Sequence, residues 1–157
     1  LPLRPDDLSA SSVLATIPNA GGIAYLWNAS KGAYDAIYGD MELELGRAYW
    51  VFVTGDGTWM PSGIEVSGVQ VNLTPGWNMI GIPSRTNVSA TDIIVTVGAD
   101  SYNLVDAVHN RYIGGIFYSW DAVHGEWNAT VISNTTMLKP GIGYFAKANQ
   151  ECTITYP

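Results

Sequence analysis

Five of the ten asparagines sit in Asn-x-Ser/Thr triplets with no proline at x: Asn28-Ala29-Ser30, Asn72-Leu73-Thr74, Asn87-Val88-Ser89, Asn128-Ala129-Thr130 and Asn134-Thr135-Thr136. This is the acceptor pattern for N-linked glycosylation, and chance would give only about one or two such triplets here. Several fall at expected turns or strand ends, where a bulky glycan can point into solvent. N-linked glycans are therefore the expected covalent partners, and an extracellular or cell-envelope location is expected with them.

Other chemistry is sparse. His109 and His124 are the only histidines, and neither has metal-ligand spacing to the other or to Cys152. No serine lies in a nucleophile elbow and no glycine-rich phosphate loop precedes a helix. No catalytic and no cofactor-binding residues are therefore assigned, and the chain is not expected to be an enzyme. Asp40, Glu42 and Glu44 alternate with Met41, Leu43 and Leu45, which reads as the solvated face of a strand. Carboxylates converging there make a weak Ca²⁺ site the one metal option. With one cysteine no intrachain disulfide forms, and Cys152 reads as a small half-buried residue on the last strand.

Six Trp and nine Tyr raise the prospect of sugar binding through ring faces. Trp27 and Trp120 occupy equivalent places in an internal repeat, however, as do Trp50 with Phe145 and Tyr34 with Trp127. Aromatics repeated with the fold are expected to be core. Trp59 has no counterpart and is the expected exposed contact.

These residues are positioned by two related halves. Gly21-Gly22-Ile23-Ala24-Tyr25-Leu26-Trp27-Asn28-Ala29 aligns with Gly114-Gly115-Ile116-Phe117-Tyr118-Ser119-Trp120-Asp121-Ala122, with Gly32 on Gly125. Each run predicts a β-hairpin, because Gly and Asn or Asp supply the positive φ a tight reversal needs. Upstream, Leu8–Ile17 aligns with Val88–Val97, and Ser9 and Ser89 read as N-caps of one or two helical turns. These turns would pack Val13, Leu14 and Ile17, and Ile93, Ile94 and Val97, inward. An extra stretch in the second copy, roughly Gly98 to Tyr112, reads as a surface loop with a short helix around Tyr102 to His109. Downstream, Leu43–Val51 aligns with Leu138–Ala146. Each copy turns at Gly46 or Pro140-Gly141 into a strand apolar on both faces, as suits a central position. Ile64-Glu65-Val66 and Thr153-Ile154-Thr155 would close the two copies.

The second copy opens on Leu73-Thr74-Pro75-Gly76-Trp77-Asn78-Met79-Ile80-Gly81-Ile82-Pro83, a turn and an apolar strand. The first copy has no such strand, since Leu1-Pro2 already matches Ile82-Pro83. Together these motifs resemble the tandem GWNL-type repeats of secreted and cell-surface proteins, frequent in archaea. The resemblance covers the second copy throughout. In the first copy Ala48 replaces a glycine and the Gly-Trp-Asn strand is lacking. It implies a location and a fold type, and carries over no catalytic residues. The open edge left by the missing strand is expected either to take a neighbouring subunit's strand or to mark an excised fragment. The chain opens with Leu1 rather than Met, which fits a processed chain or a fragment.

Composition sets outer bounds. The 157 residues carry a formal charge of −7 with only seven Lys and Arg, so nucleic acid is not an expected partner. No apolar run approaches the roughly 18–20 residues of a membrane span. The expected fold is all-β with one short helix per repeat, residues 1–67 and 68–157 packing as a β-sandwich or barrel-like unit. The expected function is a non-catalytic structural subunit of a cell-surface filament, sheath or S-layer, joined to copies of itself through β-edges. The alternative is a carbohydrate-binding or adhesive module of a larger secreted protein.

Overall fold

The computed structural model describes residues 1–157 in full. The chain is mostly β, with two short helices and several antiparallel sheets that do not close into a barrel, a sandwich-like all-β fold.

In the first repeat Ser9 caps α1 (Ala10–Leu14), its hydroxyl accepting from the Ser12 N–H at 3.3 Å. The Asp7 carboxylate accepts from the Ser9 N–H and the Ser12 hydroxyl, fixing the entry to the helix. Val13 and Leu14 face inward, as their spacing requires. The hairpin of β1 (Ala20–Asn28) and β2 (Ala33–Tyr38) follows, and β3 (Trp50–Val53) pairs with the other edge of β1 in the order β2-β1-β3. Trp27 pairs with Tyr34 across the hairpin, whose turn ends on Gly32 at φ +63°.

The second repeat contains β4 (Gln70–Leu73), β5 (Gly76–Gly81), β6 (Val88–Ser89), β7 (Ile94–Val97), β8 (Asp100–Asn103), α2 (Leu104–His109), β9 (Ile116–Asp121), β10 (Glu126–Val131), β11 (Met137–Leu138), β12 (Gly143–Ala148) and β13 (Cys152–Thr155). Its sheets are ordered β10-β9-β12-β5 and β4-β13-β7-β8, with a separate two-stranded β11-β6 pair. The β9–β10 hairpin repeats the first one: Trp120 pairs with Trp127, and Gly125 closes the turn at φ +68°.

The repeat extends to hydrogen bonds. The Tyr49 hydroxyl accepts from the Glu44 N–H at 2.7 Å, and its equivalent Tyr144 accepts from the Lys139 N–H at 3.0 Å. Each tyrosine thus locks the turn that precedes its own strand. Gly46 and Gly141 sit in those turns at φ +75° and +78°.

The core is unequal. One cluster of 21 buried residues draws only on residues 71–156, while a cluster of five, Ala10, Val13, Leu14, Ala24 and Leu43, serves the first repeat.

Several expectations are corrected. No helix follows Ser89. Its hydroxyl accepts from the Thr91 N–H in a local turn, and the run Ile93-Ile94-Val95-Thr96-Val97 leads into β7 at Ile94. Five β-branched residues in a row favour a strand, whereas Ala10-Ser11-Ser12 allows the helix. Ile94 is accordingly exposed rather than inward. The short helix expected around Tyr102 to His109 is present as α2, but the stretch after Gly98 is no surface loop: it also forms β8, and Leu104, Val105 and Ala107 are buried. The Asn103 side chain accepts from the Asp106 N–H, which starts α2. Ile64-Glu65-Val66 does not form a closing strand. Its counterpart β13 lies between β4 and β7, but the first repeat has a helix in place of β7 and nothing in place of β4, so Ile64 makes only a bridge to Arg4. Finally, β12 is central as expected, whereas β3 is an edge.

Candidate functional site

Strand pairing decides which side chains share a face, because successive residues point to opposite sides. On β9, Phe117 is buried in the core, so Tyr118 and Trp120 point away from it. Register carries that outer face to Trp127 on β10, Phe145 on β12 and Trp77 and Met79 on β5. In the first repeat Ala24 is the buried residue, leaving Tyr25 and Trp27 of β1, Tyr34 of β2 and Trp50 of β3 on the outer face.

The two aromatic faces meet each other. The Trp27 N–H donates to the Met79 sulfur at 3.4 Å, and Trp50 lies 6.2 Å from Trp120 and 6.0 Å from Trp127, ring centre to ring centre. The Trp50 indole N–H donates to the Tyr34 hydroxyl at 3.2 Å. Trp120–Trp127, Trp127–Phe145, Trp27–Tyr34 and Trp77–Tyr118 are all edge-to-face, at 5.0–5.7 Å. This geometry suits the ring quadrupoles and holds the rings upright instead of letting them stack flat.

The result is an open cleft in two lobes. One, of about 290 Å³, is lined by Trp27, Tyr34, Trp77, Tyr118, Trp127 and Phe145. The other, of about 620 Å³, is lined by Tyr25, Tyr34, Trp50, Trp120 and Trp127. Tyr34 and Trp127 are common to both and remain 46% and 50% exposed. The expectation that the repeated aromatics are core therefore fails: the core faces of both hairpins are supplied by the residues between them.

Trp59, expected as the exposed contact, is half-buried. Its indole N–H donates to the Thr16 hydroxyl at 2.9 Å, and its ring packs on the small core of the first repeat. The glycosylation candidates are dispersed rather than gathered. Asn72 on β4, Asn87 before β6, Asn128 on β10 and Asn134 after it are exposed. Asn28, at the end of β1, is half-buried, and its amide nitrogen donates to the Asp35 carboxylate at 2.7 Å. Asn128 alternates with Trp127 along β10, so its side chain leaves the face opposite the cleft.

The charged groups are structural. Lys31 pairs with Asp35 at 2.8 Å, and its hydrogen bond, with that of Asn28, holds the Asp35 carboxyl below the usual range. At the equivalent turn Asp121 takes His124 Nδ1 at 2.8 Å and accepts from the Val123 and His124 N–H groups. These bonds, that from the His124 ring first, lower its pKa as well. Asp40, Glu42 and Glu44, considered for Ca²⁺, do not converge: Glu44 faces Arg47 at 3.4 Å, and no group of three or more His, Cys, Asp or Glu is placed to hold a metal. Cys152 is buried on β13, which pushes its thiol up to about 11.

Comparison with protein-family models, with curated proteins and with solved structures finds no match to this chain.

Proposed function

We propose that the protein is a non-catalytic extracellular module that binds neutral carbohydrate in the aromatic cleft and carries N-linked glycans on its exposed acceptor sites. The observation that supports this reading is the cleft itself: nine aromatic side chains upright between two hairpins, with no acidic side chain on its walls. Pyranose rings present apolar C–H faces that stack on such rings, while the hydroxyls of Tyr25, Tyr34 and Tyr118 meet sugar hydroxyls. A pyranose covering one ring face removes roughly 100 Å² of apolar surface from water, about 2.5 kcal/mol.

Tryptophan emission titrated with a panel of neutral oligosaccharides tests the proposal. A shifted emission is expected, with affinity falling at least tenfold in Trp127→Ala, which removes a wall of both lobes, and unchanged in Trp59→Phe. Equal affinity in the Trp127 variant, or no response across the panel, would overturn it.

A second reading, a structural subunit of a cell-surface filament, sheath or S-layer, draws on the unpaired edge of β3. Light scattering and electron microscopy against concentration test it: polymers whose growth stops in Phe52→Pro would favour it over a free module.

A further inference from the structure

The two halves repeat in strand order as well as in sequence. The first has β2-β1-β3 and the second β10-β9-β12-β5, so within this sheet β5 alone has no counterpart. Three features of the first repeat mark where that counterpart would lie.

The outer edge of β3 pairs with no strand. β5 reaches this segment only at Arg47, with Gly81 N–H on the Gly46 carbonyl at 2.9 Å and Ala48 N–H near the Met79 carbonyl at 3.5 Å, and departs before Trp50. Phe52 is left 71% exposed. Its equivalent, Lys147, has Trp77 opposite it.

The two lobes of the cleft are equivalent by the repeat. Trp27, Tyr34, Tyr118, Phe145 and Trp127 of the smaller lobe correspond to Trp120, Trp127, Tyr25, Trp50 and Tyr34 of the larger one. The smaller lobe has a sixth wall, Trp77 of β5, and the larger lobe lacks only that wall.

The first repeat also has an unfilled apolar cavity of about 120 Å³, walled by Val13, Leu14, Leu43, Tyr49, Val51 and Ile142 among others. In the second repeat Ile80 of β5 lies opposite Tyr144 and is 1% exposed, while Arg47 bridges to it from the other side. Tyr49 and Ile142 are the equivalents of Tyr144 and Arg47, and no residue stands between them in the role of Ile80. Ala24 in place of Phe117 widens the gap further.

We propose that the β3 edge is the seat of one further antiparallel strand with the Gly-Trp-Asn-Met-Ile-Gly pattern of β5. Its Trp stands opposite Phe52 and supplies the wall the larger lobe lacks, and its Ile stands opposite Tyr49 and fills the cavity. Its backbone takes up the groups of Tyr49 and Val51, which face away from β1, since Thr54, two and four residues on from Phe52 and Trp50, donates to the Asn19 carbonyl on the β1 side at 3.0 Å. Antiparallel pairing in this register is what β5 already does with β12.

The test compares the chain as it stands with one carrying Gly-Trp-Asn-Met-Ile-Gly directly ahead of Leu1, and with a control in which the Trp and Ile of that segment are Lys. Hydrogen exchange at the Tyr49 and Val51 amides is read against Val95, which reports the second core in all three. The native-pattern extension should slow exchange at Tyr49 and Val51 at least a hundredfold, and the control should not. Equal rates in the extended and parent chains would overturn the proposal. So would protection in the parent that grows with concentration, since a second copy would then occupy the edge.

Discussion

Asn78 is the one buried polar residue of the structure, at 4% exposure, and its side chain is fully committed. Its Oδ1 accepts from the Thr74 N–H at 3.2 Å, while its Nδ2 donates to the carbonyls of Thr74 at 2.8 Å and Gly76 at 3.0 Å. These bonds stitch the β4–β5 turn and set the direction in which β5 leaves it, so they position Trp77 on the cleft. Asn78→Ala loses three bonds worth about 1 kcal/mol each net, or roughly 2–4 kcal/mol once buried partners are left wanting. For a chain of this length that lowers Tm by about 5–15 °C. Asn78→Asp separates hydrogen bonding from size. It keeps the acceptor but turns a carboxylate oxygen toward two carbonyls, so its pKa in the folded state rises above the unfolded value of about 3.9. Stability is then fully present below about pH 4 and is lost as pH rises through the folded pKa. Urea unfolding at neutral pH and near pH 3.5 reads both effects. Asn78→Asp at neutral pH should be less stable than Asn78→Ala, and the order should reverse in acid relative to Asn78 itself. An Ala variant within 0.5 kcal/mol of the parent, or an Asp variant indifferent to pH, would refute the assignment.

Gly143→Ala should cost about 1–3 kcal/mol by overpacking, because the new Cβ would come 2.9 Å from the Cβ of Ala48. Adding Ala48→Gly should return most of the loss, and purely additive urea midpoints would show that the two repeats do not meet there. Above pH 10 the protein should unfold with the release of tyrosinate. Burial pushes Tyr49 up to about 12 and raises Tyr144 and Tyr156, so these groups lose protons in the unfolded chain first. Stability is then intact below pH 10 and is lost as pH rises through the folded values, by roughly 3 kcal/mol from Tyr49 alone. The last tyrosinates to form and the circular dichroism should change together, whereas ionisation of all nine tyrosines with structure intact would contradict it. Glycosylation of the folded protein should reach Asn128 and Asn134 well before Asn28, whose amide nitrogen is held by Asp35. Site-resolved glycopeptide mass spectrometry showing Asn28 filled first would contradict that order.

The hairpins were legible in sequence because their turns are chemically obligatory: Gly32 and Gly125 hold positive φ, with Asn28 and Asp121 accepting from the turn N–H groups. The alignment also pointed to an open edge in the first repeat, and the outer side of β3 pairs with no strand. What misled was treating similar positions as similar structures. Ser9 and Ser89 align, yet the β-branched run after Ser89 outweighs a cap worth about 1 kcal/mol. The fate of Trp59 rested on Thr16, 43 positions away, which no local pattern reports. The aromatic cleft did leave a signal. In Ala24-Tyr25-Leu26-Trp27 and Phe117-Tyr118-Ser119-Trp120 one residue of each alternation is enough to reach the core, so the aromatic set needed a second apolar surroundings.

That second surroundings is the other repeat, and the rings keep it from closing. Trp50 stands edge-on to both Trp120 and Trp127 and is tied to Tyr34, a wedge where two flat faces would otherwise meet. Collapse would bury the remaining surface of Tyr34, Trp120 and Trp127, now 39–50% exposed, a gain of order 1 kcal/mol for each ring. It would also break five edge-to-face contacts of about 0.5–1.5 kcal/mol apiece and strand the indole of Trp50. The terms nearly cancel. An apolar cleft can then stay open in water, leaving a ligand that stacks on the rings to collect the burial that the fold itself forgoes.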